Sequence, residues 1–391
     1  MCSIASRIAD GTNATHVAGT MSFVHLHCHS SFSFHAGVPS VPDIVGRTKE
    51  LGMPAVGLTD TNRVSGLILH YQECRQQGVR PILGVELTEP TTGERARAVE
   101  TEGTSRSPGA EAINAAPGRD RENVVLLARS AQGYGDLCEI TTQRHLQTDT
   151  FTFDGVVNRE WPELYFLTSH PRLLSLLAAS PNRSRAYGEL INNSRATRRR
   201  SRELAGLASS LGLPTVAGND PFFLDADDFD THRILTAIGL NSTLSRLKPG
   251  EGASPHAWFR SAEQMERAFP GHGEALANAG RIAEDCAVDL GLGSWILPQI
   301  PVPAAYTPDT YLSELAWKGL EDNYGHKPRE ERDKARRIQQ MELEVIAKLG
   351  YSSYFLIVKE IRDWANSRFS GGYRKPKDCT ILRGSAANSI T

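Results

Sequence analysis

Histidines alternate with apolar residues in one short run, Val24-His25-Leu26-His27-Cys28-His29. In a strand, alternate residues share a face, so the run predicts three imidazoles one above another. A buried imidazole needs polar partners, and three on one face are a poor fit to simple core packing. Neutral imidazole is a common ligand for zinc, manganese and iron, so metal binding is the chemistry expected. Two acids stand where they could complete the site: Glu86 ends the run from Ile82, and Asp220 follows Val216-Ala217-Gly218-Asn219. In parallel sheets and barrels, ligands gather at the C-terminal ends of strands. His27, His29, Glu86 and Asp220 are therefore the candidate ligands of one divalent cation.

Elements that could position these residues follow from the pattern. Val24–His27 reads as a strand, Val41–Leu51 as an amphipathic helix with Pro42 in its first turn, and Ala55–Thr59 as a second strand. A helix over Gly66–Gly78 and a strand over Ile82–Glu86 continue the alternation. Such βα units predict a largely parallel sheet or barrel. Residues 88–122 lose all periodicity and read as a disordered insertion, as residues 1–21 read as a disordered leader. Further strands are expected at Val124–Ala128, Leu164–Thr168 and Pro214–Ala217, with a helix near Tyr134–Thr142 and an arginine-rich helix before Pro214. Beyond Asp225 the sequence is mostly helical, interrupted by a proline-rich connector over Leu297–Pro308 and a loop over Gly371–Lys377. The domain reading is a βα domain over 22–245 and a helical segment over 246–391.

The 391 residues suffice for two or three domains. A net charge of −2 gives no overall attraction for nucleic acid, so contact with it would need a local basic patch. One exists: Arg183, Arg185, Arg195, Arg198, Arg199, Arg200 and Arg202 stand against the single acid Glu189. As a charge run it also reads as a solvated helix face. The six cysteines are scattered, without a CxxC pair, which argues for a reducing compartment and against a disulfide scaffold or zinc ribbon. No apolar run approaches the ~20 residues of a membrane span and the first residues lack a signal-peptide core, so the cytoplasm is expected.

The segments Phe23–Ser30, Leu51–Asp60 and Arg80–Glu86 resemble the polymerase and histidinol phosphatase (PHP) domain that opens bacterial DNA polymerase III alpha subunits. The similarity continues through Leu213–Asp220, Glu274–Asn278 and Tyr351–Val358 to Arg383-Gly384-Ser385-Ala386-Ala387-Asn388-Ser389. This resemblance implies a distorted α/β barrel of seven strands, followed by a helical segment entering a polymerase palm. It also implies up to three metals, zinc or manganese among them, and removal of nucleotides from 3′ ends in members with a complete ligand set. His27, His29, Glu86 and Asp220 match family ligands. Ala36, Thr61, Phe222 and Asn123 stand where the family has others, and His170 stands near a family cysteine and is a further candidate ligand.

The Arg383-Gly384-Ser385 loop resembles the family loop that helps to hold the nucleotide triphosphate, although Leu382 and Asn388 replace expected glycines. Backbone N–H groups before a helix, with an arginine beside them, suit a phosphate. The family's palm aspartates, which would hold Mg²⁺ in the complete polymerase, fall beyond Thr391, so the chain is not expected to polymerise DNA alone. DNA, deoxynucleoside triphosphates and other DNA polymerase III holoenzyme subunits are the partners the resemblance implies, with no membrane. A free-standing metal-dependent phosphoesterase and a non-catalytic docking module are the alternatives.

Overall fold

The computed structural model describes residues 23–91, Glu94, 122–293 and 296–368. The expected leader, most of the 88–122 insertion and the Arg383-Gly384-Ser385 loop lie outside the described residues. Two compact units meet between Leu290 and Gly291. The boundary expected at 245 falls inside the first of them. Phe223 bridges to Trp258, and Asn278 Nδ2 donates to the Thr215 carbonyl at 2.8 Å, which ties the chain as far as residue 285 to the sheet.

The first unit is α/β, with six strands in sequence order: β1 (Ala55–Leu58), β2 (Arg80–Thr88), β3 (Asn123–Ala128), β4 (Leu164–Thr168), β5 (Ala186–Ile191) and β6 (Thr215–Gly218). Pairings β1–β2, β4–β5 and β5–β6 are parallel, as the βα alternation predicts. β3 runs antiparallel to both of its neighbours, so the sheet is mixed. An antiparallel neighbour needs no crossover helix. Helix α1 (Val41–Glu50) precedes β1, and α2 (Leu67–Gln77), α3 (Ala131–Leu146), α4 (Phe153–Asn158), α5 (Pro171–Ala178) and α6 (Arg195–Leu211) fall between the strands. Then come α7 (Phe229–Gly239), α8 (Ala262–Ala268) and α9 (Gly273–Asp285). Ser40 and Asp43 form a capping box at α1, and Gly212 ends α6 in the left-handed region at φ +63.

The His25–His29 run is not a regular strand, and its few hydrogen bonds reach two neighbours. His25 and Cys28 carbonyls accept from Gly57 and Thr59 beside β1, while His29 N–H donates to Pro221 just past β6. The run thus stands where a further strand would close the ends of the sheet into a distorted barrel. Gly57 makes this approach possible: a Cβ there would lie 2.3 Å from the Leu26 carbonyl oxygen. β2 is buried from Pro81 to Thr88 and β3 from Val124 to Ala128. Their near-continuous apolar runs are what a sheet covered on both faces requires.

His70 on α2 is completely buried, with its Nε2 3.1 Å from the Val56 carbonyl. Burial lowers its pKa to about 4 from the ordinary 6.5. Between those values the unfolded chain binds a proton that the folded chain refuses, so stability is intact above pH 6.5 and falls as the pH drops toward 4. The cost at the low end is about 3 kcal/mol. Buried His25, with a pKa also near 4, adds a loss of the same sign, so in urea melts at stepped pH His70→Gln should remove about half of the two together; an unchanged slope in the variant would assign the loss elsewhere.

The second unit holds α10 (Pro308–Tyr324), α11 (Arg329–Leu349) and α12 (Ser352–Arg368), after a connector without regular structure. Leu320, Ala335 and Leu356 are buried in it, while Met341, Val345, Leu349, Tyr354, Ile361 and Trp364 stay exposed.

Candidate metal centre

His27, His29 and Asp220 converge, and they form the one cluster of potential metal ligands among the described residues. Nε2 of His29 lies 3.2 Å from Nε2 of His27 and 3.0 Å from Asp220 Oδ1, and His27 Nε2 is 3.4 Å from the same oxygen. Ligands bound at ~2.0–2.1 Å in tetrahedral geometry sit roughly 3.3 Å apart, so the spacing fits one cation. Asp220 takes a left-handed backbone, φ +49, two residues past the end of β6, and its carboxylate meets the histidines. Glu86 borders the cluster, with its oxygens 3.8 Å from His27 Nε2 and 4.0 Å from His29 Nε2.

Both rings are oriented by partners on their other nitrogen. His27 Nδ1 donates to Glu189 on β5, 3.0 and 3.1 Å from its two oxygens. His29 Nδ1 is 2.9 Å from Ser33 Oγ, which itself donates to Asp60 Oδ1 at 2.7 Å; the hydroxyl must therefore accept from the ring. Asp60, fully buried, also accepts from Ser30 N–H and Ser30 Oγ. With both Nδ1 atoms donating, each neutral ring presents a lone pair at Nε2, and the two lone pairs face one another. Only a positive charge between them, a proton or a metal ion, relieves that repulsion. Burial opposes a charged His27, but Glu189, Asp220 and Glu86 outweigh it and raise its pKa to about 10. Burial also penalises the Asp220 carboxylate, yet His27 and His29 hold its pKa below the ordinary range. The donor chemistry and the outer partners fit one divalent cation.

His25 does not join the other histidines. Its ring packs 4.2 Å from Phe259, its Nε2 meets the Arg260 carbonyl at 2.8 Å, and burial lowers its pKa to about 4. The run twists instead of keeping strict alternation. His170 caps α5 at the rim of the same cavity, with Nδ1 3.4 Å from Glu122, and stays out of the cluster.

Known proteins share this organisation. Residues 25–209 match the family model of the PHP domain, and residues 310–391 match that of the bacterial DNA polymerase III alpha NTPase domain. The DNA polymerase III subunit alpha of Escherichia coli K12 is 32% identical over 371 residues, covering 88% of this chain and 30% of that one. The chain carries a PHP domain and is related to bacterial DNA polymerase III alpha subunits. An error-prone DNA polymerase of Symbiobacterium thermophilum is 29% identical, over 94% of this chain and 34% of its own length. The chain thus spans about a third of the curated relatives that it matches. Among solved structures, PsfC from Pseudomonas syringae covers 67% of this chain and 96% of its own at 14% identity and a TM-score of 0.33, a likeness too loose to carry an argument about the site.

The positions that the resemblance gives to further ligands are engaged in other interactions. Thr61 Oγ1 donates to Glu86 at 2.7 Å, and Asn123 Nδ2 donates to its other oxygen. Phe222 stacks on His29 at 4.1 Å with the rings 9° from parallel, and Ala36 is buried beside it. Two neutral donors and an apolar ring therefore border the His27–His29–Asp220 cluster. Glu189 was not singled out as a site residue by sequence reasoning, because β5 was read as part of the arginine-rich helix. The alternation Ala186-Tyr187-Gly188-Glu189-Leu190-Ile191 was the available signal.

No described helix is long and apolar enough to cross a membrane.

Proposed function

We propose that the chain acts in DNA replication as part of a DNA polymerase III alpha subunit, and that its PHP domain holds a single divalent cation, zinc or manganese. The observation that carries the reading is the pair of collinear matches, a PHP domain at 25–209 and the alpha-subunit model at 310–391, around one converged His27–His29–Asp220 cluster. When bound, the cation would polarise a phosphoryl oxygen and acidify a water. His27 and His29 would supply neutral imidazole, Asp220 charge, and Glu189 and Ser33 the ring orientation. With the neighbouring positions filled by Thr61, Asn123 and Phe222, a two-metal displacement has no second clamp. The cation on this reading stabilises the barrel's closure.

DNA and deoxynucleoside triphosphates are substrates of the complete enzyme, other holoenzyme subunits are partners, and the setting is cytoplasmic. His170 and Arg383-Gly384-Ser385 enter as secondary expectations, for metal and nucleotide phosphate respectively. Metal analysis of purified protein should find about one equivalent of zinc or manganese per chain, falling to background in His27→Ala. A metal content indifferent to His27 would overturn the reading. A metal-dependent phosphoesterase acting from 3′ ends is the second reading, favoured by the cavity of about 400 Å³ that opens on Glu86 and Asp220. Hydrolysis of a 3′-labelled strand that disappears in His27→Ala would establish it.

A further inference from the structure

The arginine run acquires a direction in the fold. Its single acid, Glu189, is turned inward onto His27, so it offsets nothing outside. Arg183 is engaged by the carbonyls of Ala178 and Leu211. Arg195, Arg198, Arg199, Arg200 and Arg202 divide over the faces of α6, where residues three or four apart are neighbours. Thr197, Arg200, Ser201 and Leu204 line the cavity of the metal cluster. Arg195, Arg198 and Arg202 are exposed on an adjoining face.

That face continues onto Arg260, which lies 5.5 Å from the ring centre of Trp258 and donates to the His256 carbonyl. Burial, and then the charge of Arg198, lower the pKa of Arg260, so the two guanidiniums act on one another. Among the described residues, no carboxylate lies within ion-pair distance of Arg195, Arg198, Arg202 or Arg260; the ion pair seen on this helix is Arg199–Glu203. Like charges gathered without counter-charges repel one another until an anion joins them. At the cavity mouth Phe34 is 43% exposed, with the Arg63 guanidinium 4.0 Å from its ring centre.

We propose that Arg195, Arg198 and Arg202 of α6, together with Arg260 and Trp258, form a track for the phosphodiester backbone of single-stranded nucleic acid. The track leads to the cavity, where Phe34 offers a ring for a base. Aromatic rings beside unpaired arginines favour a single strand, whose bases stack while its phosphates pair, over an acidic peptide. Only the strand's destination rests on the phosphoester reading of the cavity; the track does not.

The test is fluorescence anisotropy of a labelled oligothymidylate with the full chain, in EDTA, across about 50–200 mM salt. Arg198→Ala with Arg202→Ala should weaken binding at least 10-fold and flatten the log–log salt slope by about 1.4, since each single-strand phosphate contact contributes ~0.7. The lysine pair Arg198→Lys with Arg202→Lys should keep the slope. Both arginines are exposed, and a thermal melt confirms that the variants fold. Unchanged affinity and slope in the folded alanine variant overturn the proposal. So does a poly-glutamate competitor whose binding alone depends on these arginines, which would give the face to an acidic protein. Because EDTA empties any metal site, failure of the metal reading leaves this measurement standing.

Discussion

Glu189→Ala is expected to lower the stability of the metal-free protein by about 3 kcal/mol and to weaken metal binding by about 10–100-fold. Glu189 is 3% exposed and accepts from His27 Nδ1, which has no other partner at that nitrogen. Removing one member of a buried pair leaves the other charge uncompensated, a change of about 3–5 kcal/mol in comparable cases. The lower end applies here, because Asp220 and Glu86 remain near the ring. Losing the carboxylate also frees the imidazole to rotate or change tautomer, so Nε2 no longer presents a fixed lone pair to a cation. Glu189→Gln separates the two effects, since its amide oxygen can still accept from Nδ1 while the charge is gone. Urea melts in EDTA and calorimetric zinc titrations of both variants are the measurements. If Glu189→Ala melts with the wild type and binds metal equally well, the His27–Glu189 contact is incidental.

Gly57→Ala is expected to cost more than about 3 kcal/mol and to abolish stoichiometric metal binding. Overpacking a core commonly costs about 1–3 kcal/mol when side chains can yield. Here the new Cβ would fall 2.3 Å from the Leu26 carbonyl oxygen and 2.8 Å from its carbon, both backbone atoms with no flexible end to move. The only relief is to push the His25–His29 segment off β1, which carries His27 and His29 away from Asp220. Gly206→Ala is the control. Nothing lies within 4 Å of the Cβ it would add on α6, so it should stabilise by up to about 1 kcal/mol through helix propensity alone. Urea midpoints and metal content decide both. A Gly57→Ala protein with wild-type stability and one bound metal would mean that the segment does not need this close approach.

Most individual elements could be read from local pattern. Pro42 and an amphipathic pattern announced α1, and the apolar runs announced β1, β2, β3, β4 and β6, because these signals lie within a few residues. β5 was not read, since the arginines on either side of Ala186–Ile191 dominate any window drawn over so short a strand. The antiparallel course of β3 was also invisible, as strand direction depends on partners far along the chain.

The sequence by itself determined the ligand types at the candidate centre. His27, His29 and Asp220 follow from a histidine alternation and from an acid placed after a short apolar strand, both local features. Only the tertiary structure decided which neighbours complete or exclude chemistry there. Glu189 and Ser33 orient the two rings, Thr61 and Asn123 engage Glu86, and Phe222 covers one face of His29. The fold also separated His25 from the pair and turned the one acid of the arginine run inward, leaving Arg195, Arg198 and Arg202 without a counter-charge among the described residues. The physical reason is common to all of these. A side chain's reach is a few ångströms, and which atoms lie within it is set by strand order and helix rotation, which bring residues 27 to 191 positions apart into contact.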